Sequence, residues 1–345
     1  MTTQFPLLKV TDVVFDEILS QLELNEILHL SLCSPKTRKI VRCHMKKSIR
    51  YPLYLDTKED DVMKFGFIGE KGKHFIMMSV QKSEISNERQ FEIVSMEGDE
   101  EEEEKFKISK YEDHYALIST YEDEWMDGCI LVFYHITDLF RNNIDTLYCN
   151  KPYTIQFGYK APLRMTYVGG EDCNDYWNLV SYEREHSVKT GGLQLRTRLS
   201  KGYDFTLTRE YEYVRVERAQ FARSAHVLKL AEKSREVIFD RSELLPQGLN
   251  IIFNNWLEHR IDYLKFLSIR MILYREFVAF EGIEHRLTNK TDQIKFKSYT
   301  GELYRLSPGK CLRRDDGVIA SIHYDPTTQI LNFGVLTDMV VCSKG

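Results

Sequence analysis

Few side chains in this chain are spaced for chemistry. The nearest approach to a phosphate-binding loop is "GFIGEKGKH", Gly66 to His74. Such a loop needs four residues between its glycines, then lysine and serine or threonine, so that backbone N–H groups cradle the phosphates. Gly66 and Gly72 are one residue too far apart, and His74 follows Lys73, so the stretch reads as a turn between strands. Cys43 and His44 are adjacent, a poor geometry for two ligands on one metal, and no CxxC, HExxH or GxSxG pattern occurs. Asp315 and Asp316 make a carboxylate pair, but Gly317 follows them and all three read as hairpin-turn residues. His29, in an apolar stretch, reads as a space-filling residue, and Trp125, Trp177 and Trp256 as core or edge aromatics. No catalytic residue, metal site or cofactor is expected, and the chain is expected not to be an enzyme.

Composition narrows the class further. At 345 residues, 43% hydrophobic and 29% charged, the chain is globular and long enough for two or three units. A net charge of -5 gives no electrostatic case for a nucleic-acid or membrane binder, and neither partner is expected. No stretch approaches the roughly 18 to 20 apolar residues of a membrane span, and the N-terminus lacks a signal-peptide pattern. Seven cysteines, without paired spacing, suit a reducing compartment. The expected location is the cytoplasm, the nucleus or both.

The elements that position these residues fall into three stretches. The first reads as three short helices. Asp12 to Gln21 carries Val14, Ile18 and Leu22 on one stripe, widened by Val13 and Leu19. Asn25 is the expected cap of a second helix, and Ser34-Pro35 starts a third, serine capping and proline in the first turn. The third is basic, with Lys36, Arg38, Lys39, Arg42, Lys46, Lys47 and Arg50; a solvated face near a negative helix end accounts for it, with nucleic-acid binding the alternative. From Tyr51 to about Glu217 the period changes to two, through "KFGFIG", "HFIMMSV", "QFEIVSM", "YALIST", "ILVFYHI", "TIQFGY", "LRMTYVG", "LQLRTRL" and "FTLTREYEYVRV". A short helix is expected near 137–147, and the acidic run Glu97 to Lys105 as an exposed loop.

The last stretch mixes both periods. "REVIFD" predicts a strand, "PQGLNIIFNNWLEHR" an amphipathic helix with Leu249, Ile252, Phe253, Trp256 and Leu257 on one face, and "LKFLSI" a returning strand. Ile238 and Leu267, about thirty residues apart, make a step of βαβ or leucine-rich-repeat size. A second helix is expected from Arg275 to Glu284, followed by closing strands in "QIKFKSYTGELYRL", "CLRRDDGVIASIHY" and "ILNFGVL". The fold class is α+β: a helical module over 1–48, a β-rich middle region over 49–217 and an α/β region over 218–345.

Val10 to Ile40 resembles an F-box without insertion, apolar at Val14, Phe15, Ile18, Leu19 and Leu22, then Ile27, Leu28, Leu30, Ser31, Leu32, Ser34 and Arg38. The preceding "FPLL", Phe5 to Leu8, is the form typical of nematode F-box families. Thr11 stands where the family places proline, Cys33 for valine and Thr37 for tryptophan. "LNIIFNNWLEHRIDYLKFLSI" and "CLRRDDGVIASI" are similar to two segments of the second type of F-box-associated domain, in family order, and "ILVFYHITDLF" to its earlier helix.

This resemblance implies a non-catalytic substrate receptor of an SCF-type cullin-RING ubiquitin ligase. Phe5, Pro6, Leu7, Leu8, Val14, Ile18, Leu19, Leu22, Ile27 and Leu30 would bind a Skp-type adaptor, and through it a cullin. The C-terminal region would hold a target protein that the sequence does not identify. Variable loops near the acidic run and Tyr121 to Gly128 are where a target surface is first sought. The alternative is an interaction scaffold that has lost adaptor binding, and the opening helices packing on their own β domain is the purely structural one.

Overall fold

Capping chemistry sets two of the three N-terminal helices. Helix α1 (Asp12–Gln21) starts after Thr11, whose backbone is extended at φ −68° and ψ 156°. Its bounds are those the spacing predicts. Helix α2 (Leu24–Leu32) is capped by Glu23 rather than the expected Asn25: the Glu23 N–H donates to the Glu26 carboxylate at 2.9 Å in a reciprocal capping box. Asn25 Oδ1 accepts only the next N–H, that of Glu26. Helix α3 (Pro35–His44) begins as expected, with Ser34 Oγ accepting the Thr37 N–H at 3.1 Å and Pro35 in the first turn.

The computed structural model describes residues 7–45, 49–59, 62–81, 92–97, 103–111, 114–119, 125–150, 163–169, 190–196, 207, 209–220, 222–290, 293–336 and 340–341. Two units, Met1–Leu163 and Arg164–Gly345, divide the chain. The helical module therefore shares a unit with the first strands, and the boundary expected after Glu217 falls inside the second unit. Among the described residues no helix is long and apolar enough to cross a membrane.

In the first unit follow β1 (Leu53–Thr57), β2 (Val62–Ile68), β3 (His74–Gln81), β4 (Glu92–Glu97), β5 (Glu103–Tyr111), β6 (His114–Ser119), α4 (Trp125–Phe140) and β7 (Ile144–Cys149). Their order in the sheet is β7-β1-β2-β3-β6-β5-β4, with β1–β7 and β3–β6 parallel and the other pairs antiparallel. Two expectations need correction here. "ILVFYHI" lies in α4, a sixteen-residue helix, and the expected helix at 137–147 is the end of α4 followed by β7. Cys129, Val132, Phe133, Ile136, Leu139 and Phe140 are all buried. A helix apolar on so many sides shows no polar face, so its period is hidden. The acidic run also contributes to structure: Glu97 ends β4, Glu103 begins β5, and the two pair across an antiparallel ladder. Residues 98–102 lie outside the described residues, as does "TIQFGY".

The second unit holds β8 (Leu163–Val168) from its second residue on, β9 (Thr190–Leu195), β10 (Tyr211–Val216), α5 (Ser224–Ala231), β11 (Ser234–Phe239), α6 (Pro246–Leu257), β12 (Phe266–Arg270) and α7 (Glu276–Ala279). Then come β13 (Leu287–Lys290), β14 (Ile294–Lys297), β15 (Leu303–Leu306), β16 (Gly309–Arg313), β17 (Ile319–Asp325), β18 (Ile330–Val335) and β19 (Val340–Val341). Strands β9, β10, β11 and β12 run parallel, and β12 continues antiparallel through β18, β17, β16 and β13. Two strand-helix-strand steps, through α5 and then α6, therefore stand side by side where the spacing predicts one. Val237, Ile238 and Phe239 are buried in succession, as a strand covered on both faces requires. Leu249, Ile252, Phe253 and Trp256 of α6 are buried on one face, Trp256 meeting Phe333 of β18 edge-on at 5.3 Å. Phe266 stacks on Phe296 at 4.2 Å. The helix expected from Arg275 to Glu284 is only the single turn α7; Gly282, at φ 78°, then turns the chain. The Asp315-Asp316-Gly317 turn between β16 and β17 is as expected, with Gly317 at φ 87°.

Candidate functional site

Helix α1 divides its apolar residues between two directions. Phe15 and Leu19, four apart, point inward, and the Phe15 ring lies 4.8 Å from that of His44 on α3. His44 Nδ1 also meets Asp16 Oδ1 at 2.6 Å, so α3 clamps α1 by both an apolar and a polar contact. Outward, Val13 is 78% exposed, Val14 46% and Leu8 39%. Leu7, Val10, Ile18 and Leu22 are half-buried around them.

Helices α2 and α3 turn the other way, into the chain's own unit. Ile27, Leu28 and Leu32 of α2 and Val41 of α3 are buried. His29 stacks on Tyr115 of β6 at 4.2 Å. Ser31 Oγ donates to the Leu28 carbonyl at 2.6 Å and lies 2.7 Å from His135 Nε2 of α4. With that hydroxyl proton committed, His135 is the donor through Nε2–H, which leaves Nδ1 a bare lone pair. Nδ1 indeed has no hydrogen-bond partner among the described residues. Burial, with the Arg38 charge adding to it, pushes the His135 pKa down to about 3, so the ring is neutral. Arg38 and Arg42 reach Asp138 at 3.6 and 2.7 Å, so part of the basic character of α3 is spent inside the unit.

The ten residues assigned to adaptor binding thus separate. Leu8 and Val14 are exposed, and Leu7, Ile18, Leu22 and Leu30 are half-buried. Leu19 and Ile27 are buried, at 6% and 4% exposure, and pack behind the exposed residues. Phe5 and Pro6 lie outside the described residues. Val13, the most exposed of the apolar group, was not among the ten. Its signal was its place beside Val14, one step off the Phe15–Leu19 pair that faces inward. Of the departures from the family pattern, Thr37 is buried, its hydroxyl 2.8 Å from that of Ser34, so it belongs to the helix cap and not to an outer surface.

The other candidate groups make contacts within the fold. Gly69 to Lys73 closes the β2–β3 turn, with the Gly69 N–H donating to the Lys73 carbonyl at 2.8 Å. His259 meets Asp315 at 2.8 Å, and Arg314 pairs with both Asp316 and Asp262 while lying 5.1 Å over the Trp256 ring. This exposed cluster pins the β16–β17 hairpin to the end of α6, and the Arg314 charge occupies its centre. Hydrogen bonding to Asp315 raises the His259 pKa, and hydrogen bonding from Arg314 brings the Asp316 pKa down to about 2.

An F-box domain model matches residues 7–48. No curated protein and no solved structure matches the chain. The matched stretch contains α1, α2 and α3 and nothing of the second unit. At a general level it points to an adaptor-binding substrate receptor of SCF type, with a Skp-type adaptor as the partner of these helices.

Proposed function

We propose that this chain is the substrate-recognition subunit of an SCF-type cullin-RING ubiquitin ligase. The outward face of α1, around Leu8, Val13 and Val14, docks the adaptor, and the second unit holds the target. The observation that carries this reading is the division of α1. Its inner residues are satisfied by the chain, so the outer apolar residues have no work in the fold. Full burial of one aliphatic side chain contributes about 1.5 to 3 kcal/mol, enough for a few of them to sustain an interface after association costs.

The chain's part is proximity: it holds a target near a ubiquitin carrier, and other subunits do the transfer. In this reading it is not itself an enzyme and works in the cytoplasm, the nucleus or both. The similarity of Leu249 to Ile269 and Cys311 to Ile322 to an F-box-associated domain of the second type supports a nematode-type receptor; β11, α6 and β12, with the β16–β17 hairpin, have the elements those segments need. Co-purification of the full chain with a Skp-type adaptor tests the reading. A complex at micromolar concentration that Val13→Asp and Ile18→Asp abolish is expected; no complex for the unaltered chain overturns it.

A further inference from the structure

We propose that the second unit binds an acidic, leucine-bearing peptide segment of its target at the C-terminal ends of β10, β11 and β12. The proposal rests on the receptor reading only for calling that peptide a target. Each of these strands ends in a loop carrying arginine: Arg218 and Arg223 after β10, Arg241 after β11, Arg270 and Arg275 at and after β12. All five are exposed, and none has an ion pair among the described residues. Acids are present in the same loops, but most are occupied. Glu217 pairs with Arg196 at 3.3 Å, Asp240 with Arg215 at 2.7 Å, and Glu276 with Lys310. Glu243 remains. In a chain of net charge -5, this end of the unit is locally positive.

The pairing of the strands makes the arrangement an ordered one. Ala219 bridges Ser242, in the register that pairs Tyr211 with Ser234, and Ser242 Oγ donates to the Arg270 carbonyl at 2.9 Å. The preceding residues, Arg218 and Arg241, are thereby set side by side just beyond the ends of neighbouring strands. Like charges so placed repel, a cost that a bound polyanion offsets.

Beside the arginines lies a groove of about 880 Å³ between the starts of α5 and α6, lined among others by Ala222, Arg223, Leu244, Leu245 and Ile251. That volume suits several side chains. Leu245 is 61% exposed, and Ile272 and Phe277, beyond β12, are 74% and 73% exposed. Asn250 of α6 donates to the Ala279 and Glu281 carbonyls at 3.2 and 2.9 Å, tying α7 to the same end. Apolar anchors within a rim of unpaired arginines fit a segment with carboxylates around leucines. In an open sheet with parallel strands, this is also the end where ligands bind.

Fluorescence anisotropy of the full chain with a labelled Glu-Asp-Leu-Glu-Asp-Leu-Glu-Asp peptide tests the proposal. Binding is expected to weaken about tenfold or more with Arg218→Glu and Arg241→Glu together, and again with Leu245→Ser, while far-UV circular dichroism stays unchanged. Exchanging the acids for lysine and arginine, or the leucines for serine, should abolish it. Equal binding of the basic peptide, or affinity unchanged in the variants, overturns the proposal. So does tighter binding of a labelled oligonucleotide that Leu245→Ser leaves untouched, or self-association in sedimentation that Leu245→Ser removes. Loss of adaptor co-purification alone overturns the receptor reading; loss of peptide binding alone overturns this surface.

Discussion

Ser31 and His135 lie 104 positions apart in the chain, yet Ser31 Oγ is 2.7 Å from His135 Nε2 in a buried contact. This hydrogen bond joins α2 to α4. It ties the N-terminal helices, which belong to the first unit, to α4, while Val13 and Val14 of α1 stay exposed.

Replacing Ser31 by alanine strands the His135 Nε2–H in the core. The expected loss is about 1 to 3 kcal/mol of stability, read by urea unfolding. A change below about 0.5 kcal/mol would mean that His135 finds another acceptor.

Acid should act through the same residue. Unfolded, His135 titrates near 6.5; folded, burial holds it down to about 3. The unfolded state therefore binds the extra proton, and the contribution is fully present above pH 6.5 and lost as pH falls toward 3. His135→Gln should flatten unfolding midpoints across that window, and an unaltered slope would speak against it.

Glu236 should act in the opposite sense. It is buried on β11, accepting from Ser298 Oγ at 2.5 Å and from the Tyr299 N–H, and burial raises its pKa from 4.5 to about 7. Here the folded state holds the proton more tightly, so this group's contribution is present below pH 4.5 and is lost as pH rises through 7. Glu236→Gln should remove that decline in thermal melts; if the two proteins keep parallel profiles from pH 5 to about 8, the burial account fails.

The two sides of α1 should respond differently to substitution. Leu19→Ala opens a cavity and should cost about 2 to 5 kcal/mol of stability. Val13→Asp should leave the melting temperature within a degree or two while reducing adaptor affinity by about tenfold or more. A surface-plasmon series in which both fail alike would remove the distinction.

Thr11 already adopts φ −68°, the angle proline imposes, and its N–H donates to no backbone acceptor among the described residues. Thr11→Pro should therefore stabilise the unit by about 0.4 to 1 kcal/mol through the unfolded chain. A lower melting temperature would show that Val10, restricted by the new proline, is strained.

What could be read from sequence follows from how local each signal is. Ser34-Pro35 started α3 as expected because a cap acts within four residues, and β11-α6-β12 emerged because α6 has one clean apolar face. Helix α4 was hidden by its own burial. Strands β1 and β5 were missed, the second because its opening glutamates read as loop until paired with β4. At the candidate site, periodicity found the apolar residues of α1 but not their direction. That direction is set by His44 of α3, which meets Phe15 and Asp16, and α3 is tied in turn to α4 through Arg38, Arg42 and Asp138. The arginines of the second unit were invisible for the same reason: Arg218 and Arg241 are neighbours only through strand pairing.

A helix that serves a core on one side and a partner on the other is subject to two selections at once. A cellular screen of every α1 substitution should therefore sort by position into two phenotypes. Changes at Phe15 and Leu19 would lower the amount of protein, whereas changes at Val13 and Val14 would leave its abundance intact and stall turnover of its target. The alternation between those classes along ten consecutive residues would record, in living cells, which way each side chain points.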